Sequence, residues 1–176
     1  FHDFQFSDLI EESGIRFLHR CADDSGRYWK PVHYDHGNGI AIADVDGDGL
    51  QDIYFVNQIG SNELYRAVGK GKFENITGKV GVGLAERTSV TASFADINNN
   101  GNPDLFVTTV RHGNALFENP GKGKFEDVTE QSGLVYAGHS SAGVFFDYDR
   151  DGLLDLFLTN VGVYTTDEIG RGGYFV

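Results

Sequence analysis

Asp44-Val-Asp-Gly-Asp-Gly-Leu-Gln-Asp52 lies between two short apolar runs, Ile40–Ala43 and Ile53–Val56. The pattern returns as Asp96-Ile-Asn-Asn-Asn-Gly-Asn-Pro-Asp104 and as Asp147-Tyr-Asp-Arg-Asp-Gly-Leu-Leu-Asp155, its leading aspartates 52 and then 51 residues apart. A fixed period of this length marks a repeat architecture in which each copy is one supersecondary unit. A second block follows at constant distance. Asn62-Glu-Leu-Tyr65 precedes Gly69-Lys-Gly-Lys72 and Phe73-Glu-Asn-Ile-Thr77, and Asn114-Ala-Leu-Phe117 precedes Gly121-Lys-Gly-Lys124 and Phe125-Glu-Asp-Val-Thr129.

Each unit therefore offers four apolar segments of about 4–6 residues between Gly/Asn/Asp turns, which is a strand pattern rather than a helical one. The first segment is apolar on both faces, with Ile40 and Ile42 pointing one way and Ala41 and Ala43 the other. Both faces must then be covered, and four-stranded sheets stacked radially do this because each blade packs between two neighbours. The small residues Gly39, Ala41, Ala43, Ala142 and Gly143 suit an innermost strand where blades converge. The fold expected is all-β: a β-propeller of four-stranded antiparallel blades, with about three blades of a larger ring present. Residues 1–15 read as the tail of a preceding blade and 16–36 as an insertion. Blades are expected over 37–77 and 88–129, with an incomplete one over 140–176. Three blades are too few to close a ring, since propellers use about 4–8.

The Asp-rich loops carry the chemistry. Calcium is a hard cation that takes 6–8 oxygens, and short alternating carboxylates can wrap it within one turn. The expected ligands are Asp44, Asp46, Asp48 and Asp52 with the Leu50 carbonyl in the first loop. Asp147, Asp149, Asp151 and Asp155 with the Leu153 carbonyl serve the third. The middle loop offers Asp96, Asn98, Asn100 and Asp104 with the Asn102 carbonyl. It has two charges in place of four, so it is expected to bind most weakly. An EF-hand would need a bidentate Glu at position 12 and flanking helices. Position 12 here is Phe55, Val107 or Leu158 inside an apolar strand, which excludes that reading. The loops hold ten of the 26 acids, and up to three calcium ions would halve the net charge of −12.

That charge argues against nucleic acid as a partner. Hydrophobic content of 40% fits a packed domain, the 24 glycines fit many tight turns, and no apolar run reaches the length of a membrane span. Cys21 is the only cysteine, so no disulfide forms within the chain. The chain has no methionine and begins at Phe1 without a signal-like segment, which suggests a processed product or an excerpt.

The loops, together with Phe125-Glu-Asp-Val-Thr-Glu-Gln-Ser-Gly133-Leu134, resemble the FG-GAP/VCBS repeats also found in integrin α-subunit heads, particularly those of the cartilage-acidic-protein and UnbV-like type. The resemblance implies a calcium-dependent propeller, usually seven-bladed, exported from the cytoplasm and used for adhesion or scaffolding. A protein partner or a surface glycan, or membership of a larger assembly, follows as the expectation. An enzyme using the propeller as a platform, of carbohydrate-active or lyase type, is the alternative.

Two segments depart from the repeat: about 15 extra residues before the first blade, carrying His19, Cys21, Trp29, His33 and His36, and the run from Val161 to Val176. Insertions of this kind emerge at loops, where specificity often resides. His33 and His36 are weighed as a transition-metal pair, His139 with Ser140 as a nucleophilic pair, and Asn75-Ile-Thr77 as a glycosylation acceptor. For the two histidine cases the plainer structural reading is preferred, and the acceptor motif counts only in a eukaryotic protein with the site exposed.

Overall fold

The computed structural model describes residues 5–20, 39–110 and 112–160. Cys21, Trp29, His33, His36 and the Val161–Val176 run lie outside the described residues, and so do most of the expected insertion and the end of the third unit.

Two antiparallel four-stranded sheets and one hairpin follow each other along the chain. The first sheet is β1 (Ile40–Ala43), β2 (Asp52–Phe55), β3 (Glu63–Gly69) and β4 (Lys72–Asn75), in that spatial order. The second is β5 (Thr88–Ala95), β6 (Asp104–Val110), β7 (Ala115–Glu118) and β8 (Glu126–Asp127), again in chain order. β9 (Ser140–Phe146) and β10 (Asp155–Asn160) form the hairpin that opens a third blade. Single helical turns, α1 (Ile10–Ser13) and α2 (Thr77–Val80), are the only helices among the described residues. Such up-and-down sheets packed face to face are propeller blades, as the repeat requires, and the described residues do not close a ring.

Packing follows the two-residue period of the strands. Tyr54 on β2 faces the second blade, where it is fully buried and meets Phe94 edge-on at a ring separation of 6.4 Å. Ala41, Val56 and Leu64 share that core with Leu105, Val107, Ala115 and Phe117 from the facing side of the second sheet. Phe106, the counterpart of Tyr54, repeats the arrangement one blade on, with its ring edge-on to Phe145 at 5.8 Å. Ile40 and Ile42 stay 55% and 57% exposed on the outer face of the first blade, as do Val144 and Phe157 at 55% and 59% on that of the third. These are the faces that further blades of a ring would cover. Residues 16–20 lie along part of the first of them: Phe17 stacks on Phe55 at 4.8 Å, and the Arg16 amide donates to the Tyr65 hydroxyl.

A polar bolt at a fixed repeat position joins successive blades. Asn62 is buried, accepts from the Asn57 amide, and donates from Nδ2 to Tyr54 Oη at 2.9 Å and to Ser89 Oγ on β5 at 3.0 Å. Asn114 does the same one unit later, accepting from Thr109 and donating to Ser140 Oγ on β9 at 3.0 Å. Ser140 Oγ in turn donates to Asn160 Oδ1. The serine beside His139 is therefore a buried member of a blade-to-blade network rather than a free hydroxyl.

Small residues on the inner strand are required by backbone proximity. A Cβ on Gly39 would stand 2.6 Å from Thr91 Cα and 2.9 Å from the Val90 carbonyl oxygen, both on the next blade. Gly39→Ala is expected to lower stability by about 1–3 kcal/mol, the usual cost of overpacking. Gly78→Ala, where a Cβ meets nothing within 4 Å, should not destabilise. Urea denaturation of the two variants checks the contrast.

Candidate metal centre

Each Asp-rich loop connects the first two strands of a blade, and its fold is written by short-range hydrogen bonds from its own backbone. In the first loop the Asp44 carboxylate accepts from the amides of Gly47 at 2.8 Å, Asp48 at 3.1 Å and Gly49 at 2.8 Å. Asp46 accepts from Asp48, and Asp48 accepts from Leu50. Gly49 takes φ of 87°, a left-handed conformation that favours glycine. The other loops repeat this almost bond for bond. Asp96 accepts from Asn100 and Gly101, Asn98 from Asn100, and Asn100 from Asn102. Asp147 accepts from Asp151 and Gly152, Asp149 from Asp151, and Asp151 from Leu153.

The consequence is convergence of like charge. Oxygens of Asp44, Asp46 and Asp48 lie within 4.8 Å of one another, and those of Asp147, Asp149 and Asp151 do likewise. Leu50, Asn102 and Leu153 stand at the seventh position, their amides tied back to the fifth-position side chain. Oxygen-only donors at this density have the chemistry of a hard divalent cation site.

The ninth-position aspartates stand apart from these clusters. Asp52 is fully buried; its Oδ2 accepts from the Val45 amide at 2.9 Å and its Oδ1 from the Ala67 amide on β3 at 2.8 Å. Asp104 repeats the arrangement with Ile97 at 2.9 Å and with Asn119 at 2.6 Å. Asp155 accepts from Tyr148 at 2.8 Å. Burial pushes the Asp52 carboxyl above its ordinary range. The Val45 and Ala67 amides pull it back, and the charges of Asp46 and Asp48 push it up again. Burial likewise raises Asp104, against its Asn119 and Ile97 amides and with Asp96 and Glu118 adding to the rise.

The loops gather at one end of the stack and touch their neighbours. Asn119, buried on the second blade, donates from Nδ2 to the Val45 carbonyl in the first loop and to the Pro103 carbonyl in its own. The Gly123 amide also reaches the Val45 carbonyl, and Asn99 in the middle loop donates to the Gly152 carbonyl of the third. Sequence reasoning passed over Asn119, and also Arg66 and Glu118, which follow the aromatic residue of the third strand in each blade. Arg66 Nη1 sits 3.6 Å from Asp46 Oδ2, while Glu118 Oε1 accepts from Asn98 Nδ2 at 2.8 Å.

The Asn75-Ile-Thr77 acceptor motif has a structural use. Asn75 Oδ1 accepts from the Thr77 amide and hydroxyl, and Thr77 Oγ1 accepts from Leu64 across the blade. Asp127 and Thr129 repeat it against Leu116.

Asp52→Asn places an NH₂ group against one of two buried amides, and in chelator it should cost about 1–3 kcal/mol, the penalty of an unsatisfied buried donor. Asp48→Asn keeps the bond to Leu50, as Asn100 keeps the equivalent one, and removes repulsion. In chelator it should change stability by less than about 0.5 kcal/mol or raise it. Urea titrations of both variants without metal separate the two kinds of aspartate.

The FG-GAP-like repeat profile matches residues 44–107 and again residues 96–158. Cartilage acidic protein 1 of Homo sapiens and of Mus musculus is each 31% identical over 139 residues, covering 72% of this chain. That of Xenopus tropicalis is 27% identical over 131 residues. The chain spans about a fifth of the length of the curated relatives it matches. With matching loops, four-stranded blades and an unbroken run of profile matches across more than half its length, the chain belongs to the FG-GAP-like repeat family.

Proposed function

We propose that this chain is a calcium-clipped section of a propeller that works outside the cytoplasm as a protein-interaction or scaffold module. The observation that carries the reading is the pair of three-carboxylate clusters, each with its oxygens within 4.8 Å and pre-shaped by backbone amides. Like charges at that spacing repel, and a divalent ion placed among them converts the repulsion into attraction.

The residues divide the work. Side chains at the first, third and fifth loop positions surround the ion: Asp44, Asp46 and Asp48; Asp96, Asn98 and Asn100; Asp147, Asp149 and Asp151. The carbonyls of Leu50, Asn102 and Leu153 add a further oxygen each. A carboxylate has about four lone-pair positions. Asp52 and Asp104 spend two of them on backbone amides and keep the others for the ion, and Asp155 is assigned the same part. Calcium bound there locks the hairpin of β1 and β2, or its equivalent, to the third strand of the same blade.

Weak oxygen sites of this kind, of the order of 0.1–1 mM, suit the calcium of extracellular modules. Among the described residues no helix is long and apolar enough to cross a membrane. A propeller held rigid by its loops offers stable rims, and a protein partner, a surface glycan or a larger assembly is the proposed use of them.

Thermal unfolding with excess calcium and then with chelator tests this. At about a hundred times the dissociation constant, each site contributes roughly 2.7 kcal/mol. A large fall in melting temperature on chelation, restored by calcium and poorly by magnesium, is expected. An unchanged melting temperature would overturn the calcium reading.

A further inference from the structure

The first and middle loops differ by two charges within their own sequence, yet the third strand of each blade carries the opposite correction. Arg66 and Glu118 occupy the same repeat position, and both reach the third residue of their loop. Arg66 does so through Nη1 at 3.6 Å from Asp46 Oδ2, and Glu118 through Oε1 at 2.8 Å from Asn98 Nδ2.

The cross-strand neighbours make the difference sharper. Arg66 is opposite Glu74 on β4 and pairs with it at 3.2 Å. Glu118 is opposite Glu126 on β8, a like-charge pair of the kind that destabilises a sheet. Among the described residues no Lys, Arg or His forms an ion pair with Glu118 or Glu126. The middle blade therefore carries uncompensated negative charge beside its loop, whereas in the first blade Arg66 lies between Asp46 and Glu74, and Glu74 also holds Lys79.

We infer that the residue at positions 66 and 118 sets calcium affinity from outside the loop, so that the middle site is not weaker than the first. The inference rests on the calcium reading of the loops. With the paired and facing groups included, Asp44, Asp46, Asp48, Asp52 and Glu74 with Arg66 and Lys79 give −3 at the first site, and Asp96, Asp104, Glu118 and Glu126 give −4 at the middle one. Glu118 also fixes the Asn98 amide so that its Oδ1, which accepts from Asn100, is turned into the loop. It is thus a positioning residue acting through Asn98, as outer-shell carboxylates do in other metal sites. A unit charge roughly 6 Å from a divalent ion changes its affinity about tenfold even at the dielectric of water.

The loops can be read separately because the amide of each sixth-position glycine is bonded to its first aspartate: Gly49 to Asp44, Gly101 to Asp96 and Gly152 to Asp147. Calcium titration of the full chain with ¹⁵N-glycine, followed by NMR, gives one midpoint per site. In the wild type the Gly49 and Gly101 midpoints should fall within about threefold of each other, where loop charge alone would separate them by tenfold or more. Glu118→Gln keeps an acceptor for Asn98 but removes the charge, and should raise the Gly101 midpoint about tenfold while Gly49 holds still. Glu118→Asp should bring it back toward the wild-type value. Arg66→Gln should lower the Gly49 midpoint about tenfold, giving a second and independent variant. An unmoved Gly101 in Glu118→Gln, or an unmoved Gly49 in Arg66→Gln, overturns the inference while leaving calcium binding intact. Silence of all three glycines in the wild type overturns the calcium reading, and this inference with it.

Discussion

Two backbone amides that would otherwise be buried without acceptors meet on one carboxylate in each complete blade. Asp52 takes Val45 from the loop and Ala67 from the third strand, and Asp104 takes Ile97 and Asn119 in the same way. A buried amide without a partner is costly, and a carboxylate in an apolar setting is costly as well. Joined, the two costs offset each other, and the loop is held at a defined angle to the sheet. The position must be an acidic side chain because only a carboxylate offers two acceptor oxygens on a short stem. The loop's own hydrogen bonds cluster its other oxygens, and this anchor fixes that cluster against the sheet.

From the anchored loop the order spreads along the stack. At the loop end, Asn119 and Gly123 reach back to the Val45 carbonyl of the preceding blade, and Asn99 reaches forward to Gly152. At the other end, Asn62 and Asn114 bolt each blade to a serine of the next. Apolar side chains such as Tyr54 and Phe106 fill the space between. Blade contacts of this kind are nearest-neighbour interactions, so stability grows with each added repeat and the end faces remain unsatisfied. The exposed Ile40, Ile42, Val144 and Phe157 are those end faces.

Much of this was legible in the sequence. The period of the Asp motif marked the successive four-stranded units, the two-sided apolar β1 run called for radial stacking, and the small inner-strand residues anticipated the contact of Gly39 with Thr91 and Val90. The clustering of the loop carboxylates was legible because alternating side chains on a tight turn converge whatever surrounds them. Three features were not. The burial of Asp52 depends on where β3 lies, and spacing alone does not reveal that Ala67 will present its amide there. Arg66 and Glu118 were invisible for the same reason: they reach the loop from another strand, and only the folded blade brings them beside Asp46 and Asn98. The Asn75-to-Thr77 turn read as a modification motif because its cross-strand acceptor bond with Leu64 is a tertiary fact.

The central claim is that these loops are calcium sites in which the ninth aspartate joins the ion to the sheet. A crystal structure of the calcium-saturated protein, with anomalous scattering recorded at long wavelength, tests it most directly. The account predicts one anomalous peak in each loop, about 2.3–2.6 Å from the oxygens at the first, third, fifth and ninth positions. Asp52 and Asp104 should still accept both backbone amides. Loops with the same backbone and only water among their carboxylates, at saturating calcium, would contradict it.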